Sequence, residues 1–530
     1  MADIHYFDAF CVLGRSVRTT EGLPETPEQI LAAMDHAGIH EALVVDALAM
    51  EANPLAGNER LLATVRNHPR LHPAWCGLMS ASRELPPPDE LVARMREEGV
   101  GALFLFHGLM DLSLASWAID DLLAALEAAR VPLFISPDHV RDRGKGDMMD
   151  WNAVLRICRD LPDLPVIATE PRNMCHQRTA YAALDAAPNL RLDLAPLWRA
   201  GMIEFICEHW SAERLLFSAG LPAREPAAPK MQLDWSAISE DELAQIAGGN
   251  LRELLAWNEN VTSVAEQVTF PAPVDELHRK AREREDISGE GFMDCHGHLG
   301  QSSPNHVNHL PIEGMIAEMD RCGMEHCLVF GLEGVLGDET WCNDYVADAV
   351  SRHPDRFTGF TLVNFHHGEA ALRAELERGY EMGLRGVKII NSYQGYPTEG
   401  PLIDVAVEFC HERGLFALNH DWGSARQIER LCTRYPDACF ITGHATGGYA
   451  GVTRRVPNLF ISTCPFHSWR RPEQFVALYG ADRLLFASDL TDLPIAWGIG
   501  PIMYARISEE DKRKILGANL RELVKRYSRP

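Results

Sequence analysis

The sequence repeats itself at half-length, and this constrains the fold more than any other feature it has. Met34-Asp35-His36-Ala37-Gly38 returns as Met319-Asp320-Arg321-Cys322-Gly323, and His68-Pro69 returns as His353-Pro354, both at an offset of 285 residues. Near the end of each half, Arg214-Leu215-Leu216-Phe217 returns as Arg483-Leu484-Leu485-Phe486, and Asn250-Leu251-Arg252-Glu253-Leu254 as Asn519-Leu520-Arg521-Glu522-Leu523. Here the offset is 269. An order of motifs that survives while spacings drift is the mark of a duplicated domain whose loops have changed length. A chain of 530 residues also exceeds what one hydrophobic core supports. The polar stretch 259–290, with Pro271, Pro273 and mixed charges, reads as a linker between domains at 1–258 and 291–530.

Within the second half, short apolar runs alternate with segments of helical spacing, which predicts βα units and a parallel sheet. The runs are 291–298, 326–330, 357–364, 385–390, 415–420, 439–444, 459–464 and 483–489. Eight parallel strands in a domain of this size make a (β/α)8, or TIM, barrel. The first half offers matching runs at 6–10, 42–45, 101–106, 131–135 and 215–218. The expected fold is therefore α/β, with two tandem TIM barrels.

Composition narrows the partners. Fifty Lys and Arg against 75 Asp and Glu leave a formal charge of -25, which repels nucleic acid and anionic bilayers. The start, Met1-Ala2-Asp3-Ile4-His5, carries neither a basic nor an apolar leader region, and no run of about 20 apolar residues follows. A cytoplasmic protein acting on a small molecule is expected. The 13 Cys are scattered through apolar segments, which suits reduced, buried thiols better than a disulfide framework.

Most second-half strands stay apolar until their last residues, where His, Lys or Asp enters. In a TIM barrel that end is the catalytic face, because the loops leaving all eight strands surround one pocket. In Asp294-Cys295-His296-Gly297-His298 the two imidazoles, two residues apart, share a face. Lys388 stands near the end of the fourth run, while His420 closes the fifth, His444 the sixth and Asp489 the eighth. Imidazoles with one carboxylate form a good donor set for zinc or a similar divalent ion.

With those residues in place, the second half resembles the amidohydrolase superfamily, in its amidohydrolase-related branch of hydrolases and aromatic-acid decarboxylases. The resemblance implies that His296, His298, His420 and Asp489 ligate one divalent metal, zinc first with manganese or iron as alternatives. It also places His444 beside the metal as a substrate-polarising or proton-handling group. Lys388 is read as a cationic contact to substrate or carboxylate, the alternative being a carboxylated lysine bridging two metals. The activity so implied is hydrolysis of an amide, lactone or ester bond of a small acidic molecule, with Asp489, His444 and Lys388 as catalytic residues. Metal-dependent non-oxidative decarboxylation or hydration is the alternative, and a non-catalytic binding protein the second alternative.

The first half aligns as a degenerate copy. Phe10 and Val12 stand where His296 and His298 do, and Leu103, Pro137, Glu170 and Gly220 take the places of Lys388, His420, His444 and Asp489. One carboxylate cannot hold a catalytic metal. Such a domain can serve as a built-in partner, making the chain a monomeric pseudo-dimer or the protomer of a homodimer, with Arg172 or Arg178 as donors of charge to the living pocket. Arg470 and Arg471, after Trp469, are further candidates for holding an acidic substrate. His366, His367 and His467 are read as solvated loop residues, and His306 and His309 as pocket-wall or surface residues.

Overall fold

A computed structural model describes residues 4–17, 21–137, 149–169, 177–195, 199–301 and 312–528. Packing divides the chain into two compact units, one of Met1–Trp198 with Met202–Ala272, the other of Arg199–Gly201 with Pro273–Pro530. The first unit holds β1 Phe7–Leu13, β2 Glu41–Asp46, β3 Leu71–Cys76, β4 Ala102–Phe106, β5 Leu133–Ser136, β6 Val166–Ala168, β7 Leu190–Asp193 and β8 Leu215–Leu216. The second holds β9 Phe292–Leu299, β10 Met324–Gly331, β11 Phe357–Leu362, β12 Gly386–Ile389, β13 Phe416–Asn419, β14 Cys439–Thr442, β15 Leu459–Ser462 and β16 Leu484–Leu485. In both sheets the strands lie in chain order and pair in parallel. Each sheet closes on itself. Ala9 N donates to Phe217 O at 2.8 Å beyond β8, and Cys295 N to Phe486 O at 2.9 Å beyond β16. Both units are therefore TIM barrels, as the repeat predicts.

All eight apolar runs of the second half are strands. Covered on both faces, such strands read as continuous apolar runs, and every residue of β9 is buried, including its two histidines. The first half yielded five of its eight strands to the sequence. The other three hide for visible reasons: β3 contains Pro73, β6 is three residues long, and Arg191 and Asp193 interrupt β7. Helices between strands begin and end where their punctuation requires. Pro401 opens the helix Pro401–Arg413 and Gly414, at φ 63°, closes it.

The repeated motifs turn out to be structural staples. Asn250 Nδ2 donates to the carbonyls of Ala212 and Leu215, both at 2.8 Å, and Asn519 Nδ2 to those of Ala481 and Leu484 at 2.8 and 2.9 Å. Arg70 ties Asp35 to the carbonyls of Ile39 and His40, while Arg356 ties Asp320 to those of Met324 and Glu325. Arg252 reaches His5 O and Glu41, and Arg521 reaches Gly291 O and Glu325. The same side chains make the same bonds in both barrels, which is why these motifs remain alike. The described cysteines are all free thiols, and no helix among the described residues is long and apolar enough to cross a membrane.

Asn250→Ala and Asn519→Ala each strip two carbonyls of their donor. Each substitution is expected to destabilise its own barrel by about 2 kcal/mol, read as a lower denaturation midpoint in urea. An unchanged midpoint for both variants would show that these bonds hold nothing.

Candidate metal centre

The second barrel delivers its polar side chains to one end. His296 and His298 lie on β9 and Lys388 on β12, while His420 follows β13 directly, His444 stands two residues past β14, and Asp489 four past β16. Asp294 locks the first of these to the last. Its Oδ1 accepts from His296 N at 2.8 Å and from Ser488 N at 3.2 Å, and its Oδ2 accepts the Ser488 hydroxyl. Asp489 N then donates to His296 O at 3.0 Å. The position of Asp489 relative to the histidines is thus set by buried hydrogen bonds and not by loop chance.

Asp489 Oδ1 lies 3.5 Å from His296 Nε2 and 3.6 Å from His298 Nε2. The donor atoms of these three residues all fall within 4.8 Å of one another. Bonds of 2.0–2.2 Å at tetrahedral angles separate donor atoms by about 3.3–3.6 Å, so one divalent cation fits between them. His296 Nδ1 is bonded to Gly443 O at 2.6 Å, which leaves Nε2 with its lone pair towards Asp489. His420 stands close by, its ring centroid 5.4 Å from that of His296, but its nitrogens are outside the three-donor group. Both of them are shielded from solvent and neither has a hydrogen-bond partner, so one is free to give its lone pair to an ion while the other carries the ring proton.

The electrostatics suit a cation. Burial, reinforced by Lys388, pushes His296, His298 and His420 well below the usual imidazole range, and His444 to about 4. All four rings are therefore neutral and keep lone pairs to give. Burial also holds the Lys388 ammonium far below its ordinary range, with the charge of Asp489 opposing. Lys388 Nζ stands 3.2 Å from His296 Nε2 and 4.0 Å above the Phe330 ring. Burial raises Asp489, again with Lys388 opposing.

Asp489 is held at φ 66°, a left-handed conformation that costs a side chain energy and glycine none. The aligned residue of the first barrel, Gly220, keeps the same turn at φ 70°. The second barrel thus retains a carboxylate where the backbone favours glycine.

Other residues singled out in the sequence lie elsewhere. Arg470 is exposed and paired with Glu473 at 3.2 Å, and Arg471 packs 4.4 Å over the Phe475 ring. Arg178 is exposed on the helix Gln177–Ala186 of the first barrel. Arg172, Glu170, His306 and His309 fall outside the described residues. His366 and His367 are exposed and bonded to Gln394 O and Glu339. Sequence reasoning passed over Asp294, Tyr393, whose ring lies 5.0 Å from His420, and Cys464, with Sγ 3.6 Å from His444 Nδ1. It also passed over a buried ion pair of the second unit, Arg199 Nη1 to Asp492 Oδ1 at 2.6 Å. Only Asp294, repeated as Asp8, left a readable signal.

Architecture and site together define a parallel barrel with imidazoles and a carboxylate gathered at its C-terminal strand ends. Residues 293–526, nearly the whole of the second barrel, match the model of the family described as Amidohydrolase. Comparison with curated proteins gives no match. Among solved structures the chain is similar to an uncharacterized TIM-barrel protein from Bordetella bronchiseptica, at 18% identity over 45% of this chain and 100% of that one, with a TM-score of 0.38. It is similar to 5-carboxyvanillate decarboxylase from Sphingomonas paucimobilis at 17% identity, over 44% of this chain and 99% of that one, with a TM-score of 0.35. A third similarity is to 4-oxalomesaconate hydratase from Rhodopseudomonas palustris, at 17% identity over 44% and 96%, with a TM-score of 0.35.

In the first barrel the corresponding space holds phenyl rings. Phe10 packs 5.2 Å from Phe104, which stacks on Phe134 at 4.2 Å. Hydrogen bonds correct two of the aligned pairs: Gly77 N donates to Phe104 O as Val363 N does to Lys388 O, and Thr169 N to Ile135 O as Gly443 N does to Asn419 O, so Phe104 and Ser136, not Leu103 and Pro137, take the places of Lys388 and His420. No group of three His, Cys, Asp or Glu donors converges among the described residues of this barrel. Two buried acids remain at its strand ends. Asp8 Oδ1 accepts from Phe10 N and Ala219 N, as Asp294 does from its counterparts, but Ala219 offers no hydroxyl and Oδ2 is left without a partner. Burial pushes both Asp8 and Asp193 up to about 7.

An acid raised in this way keeps its proton in the folded state where the unfolded chain has released it. Its contribution is full below the ordinary value of 3.8 and is lost as pH climbs to about 7. Asp193→Asn is expected to flatten the fall in first-barrel stability between those limits by up to about 1.4 kcal/mol per pH unit. An unaltered slope would refute the raised value. At the other site, Asp489→Ala and Asp489→Gly both lose the carboxylate, and only the glycine relieves the backbone. The glycine variant, kept metal-free, is expected to be the more stable of the two by about 1 kcal/mol, and equal thermal midpoints would remove the claim of strain.

Proposed function

We propose that the second barrel is a metal-dependent hydrolase that cleaves an amide, lactone or ester bond of a small acidic molecule with water. The observation that carries this reading is the convergence of His296 Nε2, His298 Nε2 and Asp489 Oδ1 around a space the size of one divalent ion. His420, with two unpartnered nitrogens, would complete the donor set. Zinc suits imidazole and carboxylate donors first, with manganese or iron as alternatives. When bound, the cation would supply Lewis acidity, polarising a carbonyl and bringing the pKa of water to roughly 7.

The chain's own residues do the rest. Asp489, buried and facing both imidazoles, accepts the proton of the attacking water. His444, neutral and with Nδ1 beside Cys464, keeps Nε2 to polarise the substrate or pass a proton to the leaving group. Lys388, with Nζ 3.2 Å from His296 Nε2, serves as a contact to Asp489 or to the substrate. Arg199, buried beside Asp492, provides a positive charge for an acidic substrate. Burial pushes Asp492 up to about 6, with Arg199 opposing.

The test pairs metal analysis with turnover. The His296→Ala, His298→Ala double variant is expected to lose one equivalent of divalent metal and more than about 100-fold in the hydrolysis of an amide, lactone and ester panel, beyond what loss of a mere outer partner costs. Products of the intact enzyme should take oxygen from isotopically labelled water. Release of carbon dioxide from carboxylic acids without such uptake would reassign the site to a lyase, and full activity in the double variant would end the metal reading.

A further inference from the structure

A second set of metal-type donors stands beside the first; it shares Asp489 and His444 with the hydrolytic reading and adds Cys464, which that reading does not use. Cys464 lies two residues past β15, and its side chain is fully buried. Cys464 Sγ, a ring nitrogen of His444 and a carboxylate oxygen of Asp489 all fall within 4.8 Å of one another. The sulfur is 3.6 Å from His444 Nδ1. A tetrahedral ion with bonds of about 2.3 Å to sulfur and 2.0–2.1 Å to nitrogen spaces those atoms by about 3.5–3.6 Å.

His420 stands within reach of either set. Its ring lies 5.4 Å from that of His296 and 4.7 Å from that of His444, between the two donor sets, and both its nitrogens are unpartnered. One ion can satisfy one of these nitrogens. A neutral imidazole has a single lone pair, so His420 can complete either position but not both.

We propose that His444, Cys464 and Asp489 form a second divalent-cation position, with Asp489 shared between it and the His296–His298 position. The proposal rests on the preceding reading only in taking Asp489 as a ligand. A donor set of thiolate, imidazole and carboxylate favours zinc, cobalt or cadmium over magnesium and calcium. Binding replaces the S–H bond of Cys464 by a bond from sulfur to the ion, and the proton leaves to buffer. His444 is already neutral and gives up none.

The rival account is a weak hydrogen bond between thiol and ring, with no ion. Cobalt(II) titration of metal-free protein separates the two, because a thiolate on cobalt gives a charge-transfer absorption that a thiol–imidazole hydrogen bond does not. The wild-type chain should bind about two equivalents and show the band. Cys464→Ser should keep one equivalent and lose the band. The His296→Ala, His298→Ala variant should lose one equivalent and keep the band. A saturated wild-type protein without the band, binding no more cobalt than Cys464→Ser, overturns the second position. A double-His variant that binds as much cobalt as wild type would instead overturn the first position and leave the band to judge the second. Circular dichroism of each metal-free variant shows whether it has folded.

Discussion

The carboxylate of Asp294 is the constraint from which the rest of the second barrel's chemistry follows. It gathers the backbone of His296 and both the backbone and hydroxyl of Ser488, so that the first strand and the turn beyond the last cannot move apart. Burial pushes this acid up to about 7, and the hydrogen bonds from Ser488 and His296 work against that shift. A pocket assembled from the ends of separate strands needs such a pin, because donor atoms about 1 Å out of place no longer share an ion.

The two barrels show which residues the fold needs and which the chemistry needs. Asp8, Asn250, Arg70 and Arg252 repeat the bonds of Asp294, Asn519, Arg356 and Arg521, and they persist in both halves. The donors do not persist. Phenyl rings of Phe10, Phe104 and Phe134 pack together in the first barrel where the second gathers its polar side chains. Gly220 and Asp489 make the same turn, and only the second tolerates its backbone cost. Such a cost persists where a side chain is wanted for something other than folding.

Much of this was legible in the chain. The repeat announced two like domains, and the apolar runs ending in His, Lys or Asp announced both the barrel and the end at which its polar side chains gather. His296, His298 and Asp489 meet as their spacing implied, since alternation on one strand and placement at a strand end are local properties. What stayed hidden depends on distance through space. Cys464 sits in a run read only as a strand, and its approach to His444 depends on how two strand ends lean together. Arg199 and Asp492 are far apart in sequence, and no periodicity connects them. Arg470 and Arg471, conspicuous as a charge pair, meet Glu473 and Phe475 because exposed arginines find local partners first.

Anomalous diffraction from crystals grown with zinc tests the central claim most directly. The account predicts a peak within about 2.0–2.2 Å of His296 Nε2, His298 Nε2 and an oxygen of Asp489, and none among Phe10, Val12 and Gly220. Zinc bound elsewhere on the molecule, with that space filled by the Lys388 amine or by water, would contradict it.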